Sequence, residues 1–118
     1  MLADFLLCFA AWSALALSMD RHHEDAWPGS DTESAPVAKR RHQLATTGWL
    51  LLALSLYLAL ALPADTSRAM AAVVWSVALS LSAVAATAAA TWIPQRLPAL
   101  GLGALAVGAT SLVLRSMV

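Results

Sequence analysis

Four apolar blocks, residues 2–19, 44–62, 69–93 and 97–114, make up most of this 118-residue chain, and one long gap between them holds most of its charge. Nine of the fourteen Asp, Glu, Lys and Arg residues fall within residues 20–43. A helix over the shortest block is about 27 Å long and one over the longest about 37 Å, against a bilayer hydrocarbon core of roughly 30 Å. Each block is therefore read as a membrane-crossing helix. Strands are disfavoured, because the blocks are rich in Ala and Leu without period-two alternation, and in lipid a continuous helix pairs all its own backbone groups. The expected fold is all-α: a polytopic membrane protein with four transmembrane helices in an antiparallel bundle. It forms a single membrane domain over residues 1–118, with a polar loop at 20–43.

This layout narrows the range of functions. The chain is 60% hydrophobic and 12% charged, whereas soluble domains run to about 45–50% and 25%. Outside the membrane there is no room for a catalytic domain, so an enzyme is not expected. The formal net charge of zero leaves no basis for a nucleic-acid partner. The first block opens Met-Leu-Ala-Asp without the basic residues of a secretory signal, and it is read as a retained span. Cys8 follows Leu7, where a lipoprotein would carry a small residue, so it reads as a small apolar packing residue. With one cysteine there is no internal disulfide.

Orientation follows from Lys and Arg. Arg21, Lys39, Arg40, Arg41 and Arg96 lie on one side of the four spans and Arg68 and Arg115 on the other, so residues 20–43 are expected in the cytoplasm. Both termini then face the periplasm. Trp49 and Trp92 fall at cytoplasmic ends of spans, where amphipathic rings favour the interface, while Trp12 and Trp75 lie deeper and suit helix packing.

Pro63 closes the second block, and Asp65-Thr66-Ser67 supplies oxygens to cap the third. Ile93-Pro94-Gln95-Arg96-Leu97-Pro98 joins blocks three and four so tightly that they are expected to be antiparallel neighbours. Lipid gives helices no hydrophobic reason to associate, so packing needs small residues and interhelical hydrogen bonds. Ala10, Ala14 and Ser18 form one such face, and Gly48, Ser55 and Ala59 another. In the third block Ser76, Ser80, Ala83, Thr87 and Thr91 make a stripe read as a packing face, as do Gly101, Ala104, Gly108 and Ser111 in the fourth. No ionisable residue lies mid-span; Asp4 sits near the outer edge of the first. Ion-coupled carriers usually need an intramembrane charge, which ranks a carrier low.

The loop is where chemistry has room. Helix one is expected to run on into it for a turn or more, and Ser34 with Pro36 reads as the start of helix two. His22, His23 and His42 then reach similar heights at the membrane edge, near Asp20, Glu24 and Asp25. Imidazole suits a transition metal or haem iron, so these three histidines are the candidate ligands. Against that, adjacent histidines point about 100° apart on a helix and no His-x3-His pair exists. The simpler reading is a solvated interfacial patch with no cofactor, in which carboxylates pair with Arg21 and the Lys39-Arg40-Arg41 cluster. That cluster is read as a topology signal and an anchor for lipid headgroups of the bilayer. Asp20, Arg21 and His23 are the candidates for partner docking, since His23 lies three residues after Asp20 on one helical face.

Met19-Asp20-Arg21-His22-His23 directly after an Ala/Leu-rich span, then Arg40-Arg41, then Gly48-Trp49-Leu50-Leu51-Leu52-Ala53-Leu54-Ser55, resembles a family of small bacterial inner-membrane proteins of unknown function. Arg96 and Pro98 look similar too, and the resemblance covers most of residues 1 to about 100. The resemblance implies a setting in siderophore iron uptake, with a larger membrane protein of iron–siderophore processing as partner, and assigns no catalytic residue. The leading expectation is thus an accessory inner-membrane subunit of a membrane reductase or permease. The alternatives are a metal- or haem-binding redox subunit using His22, His23 or His42, and a small homo-oligomeric carrier. Reporter fusions that need an outside location are expected to be active after Val118 and inactive near Ser30, and an inactive reporter at Val118 would refute the even number of crossings.

Overall fold

The computed structural model describes residues 2–19, 27, 35–61 and 67–117. Helix α1 spans Leu2–Leu17, α2 Ala35–Ala61, α3 Arg68–Trp92 and α4 Leu97–Met117, with a short 3₁₀ turn at Pro94–Arg96 before α4. No strand occurs among the described residues. Among the described residues three helices are long and apolar enough to cross a membrane: residues 36–61, 68–92 and 94–115. These features make the chain a multi-pass membrane protein.

Helix α1 is shorter than its apolar block. It stops at Leu17, where the Ser18 amide bonds back to the Ala14 and Leu15 carbonyls and the Met19 amide to Ala16. The expected course of helix one beyond Met19 lies outside the described residues. The physical cause of the stop at Leu17 lies in the two partners that end the helix: the Ser18 hydroxyl donates to the Leu15 carbonyl, and Arg41 Nε donates to the Ser18 carbonyl at 3.0 Å. Carbonyls that another turn of helix would have engaged are thus already satisfied. Helix α2, by contrast, begins at Ala35, nine residues before its apolar part, as Ser34 and Pro36 suggest. Ser67 caps α3 by accepting a bond from the Met70 amide at 3.2 Å.

The core forms around α1. Cys8 and Ala11 are completely enclosed, and Leu7, Ala10, Ser13, Ala14, Leu15 and Leu17 are buried. This helix touches all three others extensively, whereas α4 packs almost entirely on α1. Ser18 faces Arg41, Leu15 faces Gly48 and Cys8 faces Ser55, so α2 runs back along α1 in the opposite direction. Ser13 faces Gly101 and Leu6 faces Gly108, which gives α4 the same reversed sense.

Two expectations about neighbours need correction. Helices α3 and α4, joined by the tight Pro94–Arg96 turn, hardly touch beyond it. The reason is at the turn itself, where Leu17, Ala89, Ala90 and the fully buried Leu97 form one cluster; α1 enters between the two helices there and keeps them apart. The second correction concerns the stripe on α3. Ser76, Ser80 and Thr87 stand exposed, and the face turned inward carries Ala78, Ser82, Ala86, Ala89 and Ala90. Each outward hydroxyl donates to the carbonyl four residues earlier: Ser76 to Ala72, Ser80 to Ser76, Thr87 to Ala83 and Thr91 to Thr87. A hydroxyl satisfied by its own helix has no need of the interior, and alanine admits a closer backbone approach.

The glycines show how close that approach is. A Cβ on Gly48 would lie 2.6 Å from Leu15 Cγ and 3.0 Å from the Ala11 carbonyl oxygen, and one on Gly108 3.2 Å from Leu6 Cβ. On Gly103 it would meet nothing within 4 Å. Gly101, Ala104 and Gly108 are all buried, on the face of α4 turned to α1. Gly48→Ala is therefore expected to lower unfolding stability in detergent by about 1–3 kcal/mol through overpacking. Gly103→Ala is expected to be neutral or slightly stabilising. Equal behaviour of the two variants in a denaturation series would contradict the packing described.

Candidate functional site

Two polar regions stand out, one inside the bundle and one at the end where α1 stops and α2 starts. The inner region is built on Ser55 of α2. Its hydroxyl accepts a bond from Trp75 Nε1 of α3 at 2.9 Å and donates to the Leu52 carbonyl at 2.9 Å. With that proton committed, the Cys8 thiol of α1, 3.8 Å from the same oxygen, is left as a donor. One hydroxyl thus ties three helices together. A second interhelical bond runs from Trp12 Nε1 to the Leu79 carbonyl at 3.1 Å, and the enclosed Ser82 bonds back to Leu79 at 3.0 Å. Trp12 and Trp75 each use the one polar atom of the ring to cross-link helices. The cluster is closed to solvent, since Cys8 shows no exposed surface. Its chemistry is cohesive, and an attacking thiol there would have no approach for a substrate.

The second region lies at the membrane edge. The first residues of α2 put Lys39, Arg40, Arg41 and His42 on successive positions; Lys39, Arg40 and His42 are exposed and Arg41 is partly buried against the end of α1. The Arg40 guanidinium carbon lies 5.3 Å from the centre of the Trp27 ring, a cation–π arrangement. Trp27 also packs on the Leu17–Leu97 cluster, so its ring joins the basic end of α2 to the apolar core. Below it, between α1, α2 and α4, runs a slot of about 200 Å³ lined by Ala10, Ser13, Leu17, Thr47, Pro98 and Gly101 among others.

Asp20, Arg21, His22 and His23 lie outside the described residues, so only His42 of the three histidines is placed, exposed on α2 with its carbonyl accepting from Thr46. Among the described residues no group of three His, Cys, Asp or Glu is arranged to hold a metal ion. Sequence reasoning passed over Trp27 and Ser13. A tryptophan within a polar loop next to a span is the usual mark of an interface ring, and a serine within an otherwise Ala/Leu run is the sort of residue that needs a partner.

A family model described as protein of unknown function (DUF3325) matches residues 2–113. The chain belongs to that family. No curated protein and no solved structure matches it. Membership extends over all four helices of the DUF3325 chain and ends within α4.

The shared hydroxyl of Ser55 gives a direct test of the inner cluster. A double-mutant cycle of Ser55→Ala and Trp75→Phe is expected to return a coupling of about 0.6–1.7 kcal/mol, the range for interhelical hydrogen bonds in membranes. Additive effects would mean that the indole and the hydroxyl do not interact.

Proposed function

We propose that this protein is an accessory integral subunit of the bacterial inner membrane, docked on a larger membrane reductase or permease of ferric-siderophore iron acquisition. The observation that carries the accessory role is how the polar groups are spent. Inside the bundle the polar atoms of Ser55, Trp75 and Trp12 are each committed to hydrogen bonds that hold the helices together. On the outside, α3 presents a smooth stripe of Ser76, Ser80, Thr87 and Thr91 whose hydroxyls are already bonded to their own backbone. Such a face accepts another helix closely without leaving an unmet donor. The iron–siderophore setting rests on the resemblance carried by Met19-Asp20-Arg21-His22-His23, Arg40-Arg41 and the run from Gly48 to Ser55.

In this reading α1 crosses with the three longer helices, because it lies among them, and the four make an antiparallel four-span bundle. Residues 20–43 lie in the cytoplasm and both termini in the periplasm, as the distribution of Lys and Arg suggests. Asp20, Arg21 and His23 are proposed to meet the partner's cytoplasmic side, next to the Lys39-Arg40-Arg41 anchor.

Affinity purification from iron-starved membranes in mild detergent tests this reading. A membrane reductase or permease is expected to co-purify with the wild-type protein, and its yield is expected to fall several-fold for Ser80→Leu at unchanged abundance of the bait. Recovery of the bait alone, or equal recovery of the partner with Ser80→Leu, would overturn the docking face. A coloured preparation with a haem spectrum would replace the accessory role by a redox one.

A further inference from the structure

Among the described residues three side-chain hydroxyls are buried, and one of them differs from the other two. Ser55 and Ser82 both donate to a carbonyl of their own helix, whereas Ser13, 1% exposed, has an oxygen with no hydrogen-bond partner among the described residues. An unmet buried hydroxyl is costly, and a serine in a helix ordinarily avoids that cost by bonding back one turn. Ser13 instead lines the slot between α1, α2 and α4.

The rest of that slot is apolar, and α2 and α4, which form its walls, make little contact with each other. Its volume of about 200 Å³ is below the roughly 300–1,000 Å³ of ordinary small-molecule sites, so it suits a slender chain better than a ring cofactor. At one end the Trp27 ring forms part of the lining, and the Arg40 guanidinium lies over that same ring. A slot of this shape therefore passes, from the inside outward, a lone hydroxyl, an aromatic wall and a cation.

The depths agree with one class of molecule. Arg41 faces Ser18, five residues beyond Ser13 on α1, so Ser13 lies about 8 Å below the basic end of α2. The polar layer on each side of a bilayer is about 5–7 Å thick. A phosphate held at the level of Arg40 therefore places the glycerol ester groups beneath it near the depth of Ser13.

We propose that this slot is a binding site for one anionic phosphoglyceride. The first carbons of one acyl chain lie in the slot between α1, α2 and α4 and the rest of the chain runs on into the bilayer, an ester carbonyl accepts a hydrogen bond from the Ser13 hydroxyl, and the phosphate rests on Arg40 with Lys39 beside it. The inference goes beyond the accessory role and does not depend on the identity of any partner, because the ligand comes from the bilayer itself.

Native mass spectrometry of the full chain, titrated with phosphatidylglycerol or with phosphatidylcholine, tests it. The wild-type protein is expected to retain one phosphatidylglycerol at least tenfold more tightly than phosphatidylcholine, and added salt should reduce that preference. Arg40→Gln should remove the headgroup preference while leaving chain binding. Ser13→Ala should weaken both lipids several-fold. Thr47 is exposed at the slot, so Thr47→Phe is expected to obstruct it without disturbing the packed core; both lipids should then be lost at an unchanged helical circular dichroism spectrum. Equal retention of the two lipids by wild type, or wild-type binding by folded Thr47→Phe, would overturn the site. Displacement of the lipid by inorganic phosphate alone would also overturn it, since the slot would then contribute nothing.

Discussion

Inside a bilayer water no longer drives apolar faces together, and what remains is how closely two backbones approach. Among the described residues every glycine that meets another helix closely meets α1. Gly48 meets it at Leu15 and Ala11, Gly101 at Ser13, and Gly108 at Leu6 and Leu7. Each of those glycines lies on a different turn of α2 or α4, and each leaves space that a side chain would have filled. The consequence is an arrangement in which a short, sealed helix serves as the common surface for three longer ones. Interhelical hydrogen bonds then fix the register: Ser55 through Trp75 and Cys8, and Trp12 through Leu79.

Much of this was legible from residue order alone, and the failures have definite causes. The all-helical membrane character followed from block length and composition, and the starts of α2 and α3 from Ser34, Pro36 and Ser67. The small face of α4 could be read because glycine has few other reasons to recur at that spacing. The α3 stripe of small residues was read as a packing face, yet within this chain its four hydroxyls bond to their own helix and alanines take the interior. A tight turn likewise suggested that α3 and α4 would pair. Connectivity fixes where two helices start, but the third body that enters between them depends on contacts about seventy to eighty residues apart, which local pattern does not carry.

The candidate site was legible only in part. Lys39, Arg40 and Arg41 stand out as a basic run in any reading of the sequence. That Arg41 ends α1 by engaging the Ser18 carbonyl, and that Arg40 lies over Trp27, requires the fold. The same three residues thus have separate tasks: one terminates a helix, one meets an aromatic ring, and one faces outward. Ser13 shows the converse: its Ala/Leu neighbours mark it as a residue in need of a partner, but which helix stands opposite it is set only when Gly101 is placed there.

The central position of α1 also sets an order of events during biogenesis. It is the first helix in the chain, yet its enclosure is completed by α4, whose contacts with it join residues such as Leu6 and Gly108 across most of the sequence. Contacts of that span form late, because the intervening chain must be inserted before they can close. Until then the inner faces of α1 are turned to lipid or to whatever holds newly inserted helices. A chain interrupted before residue 97 would keep every contact between α2 and α3 and still leave its innermost helix open along one side.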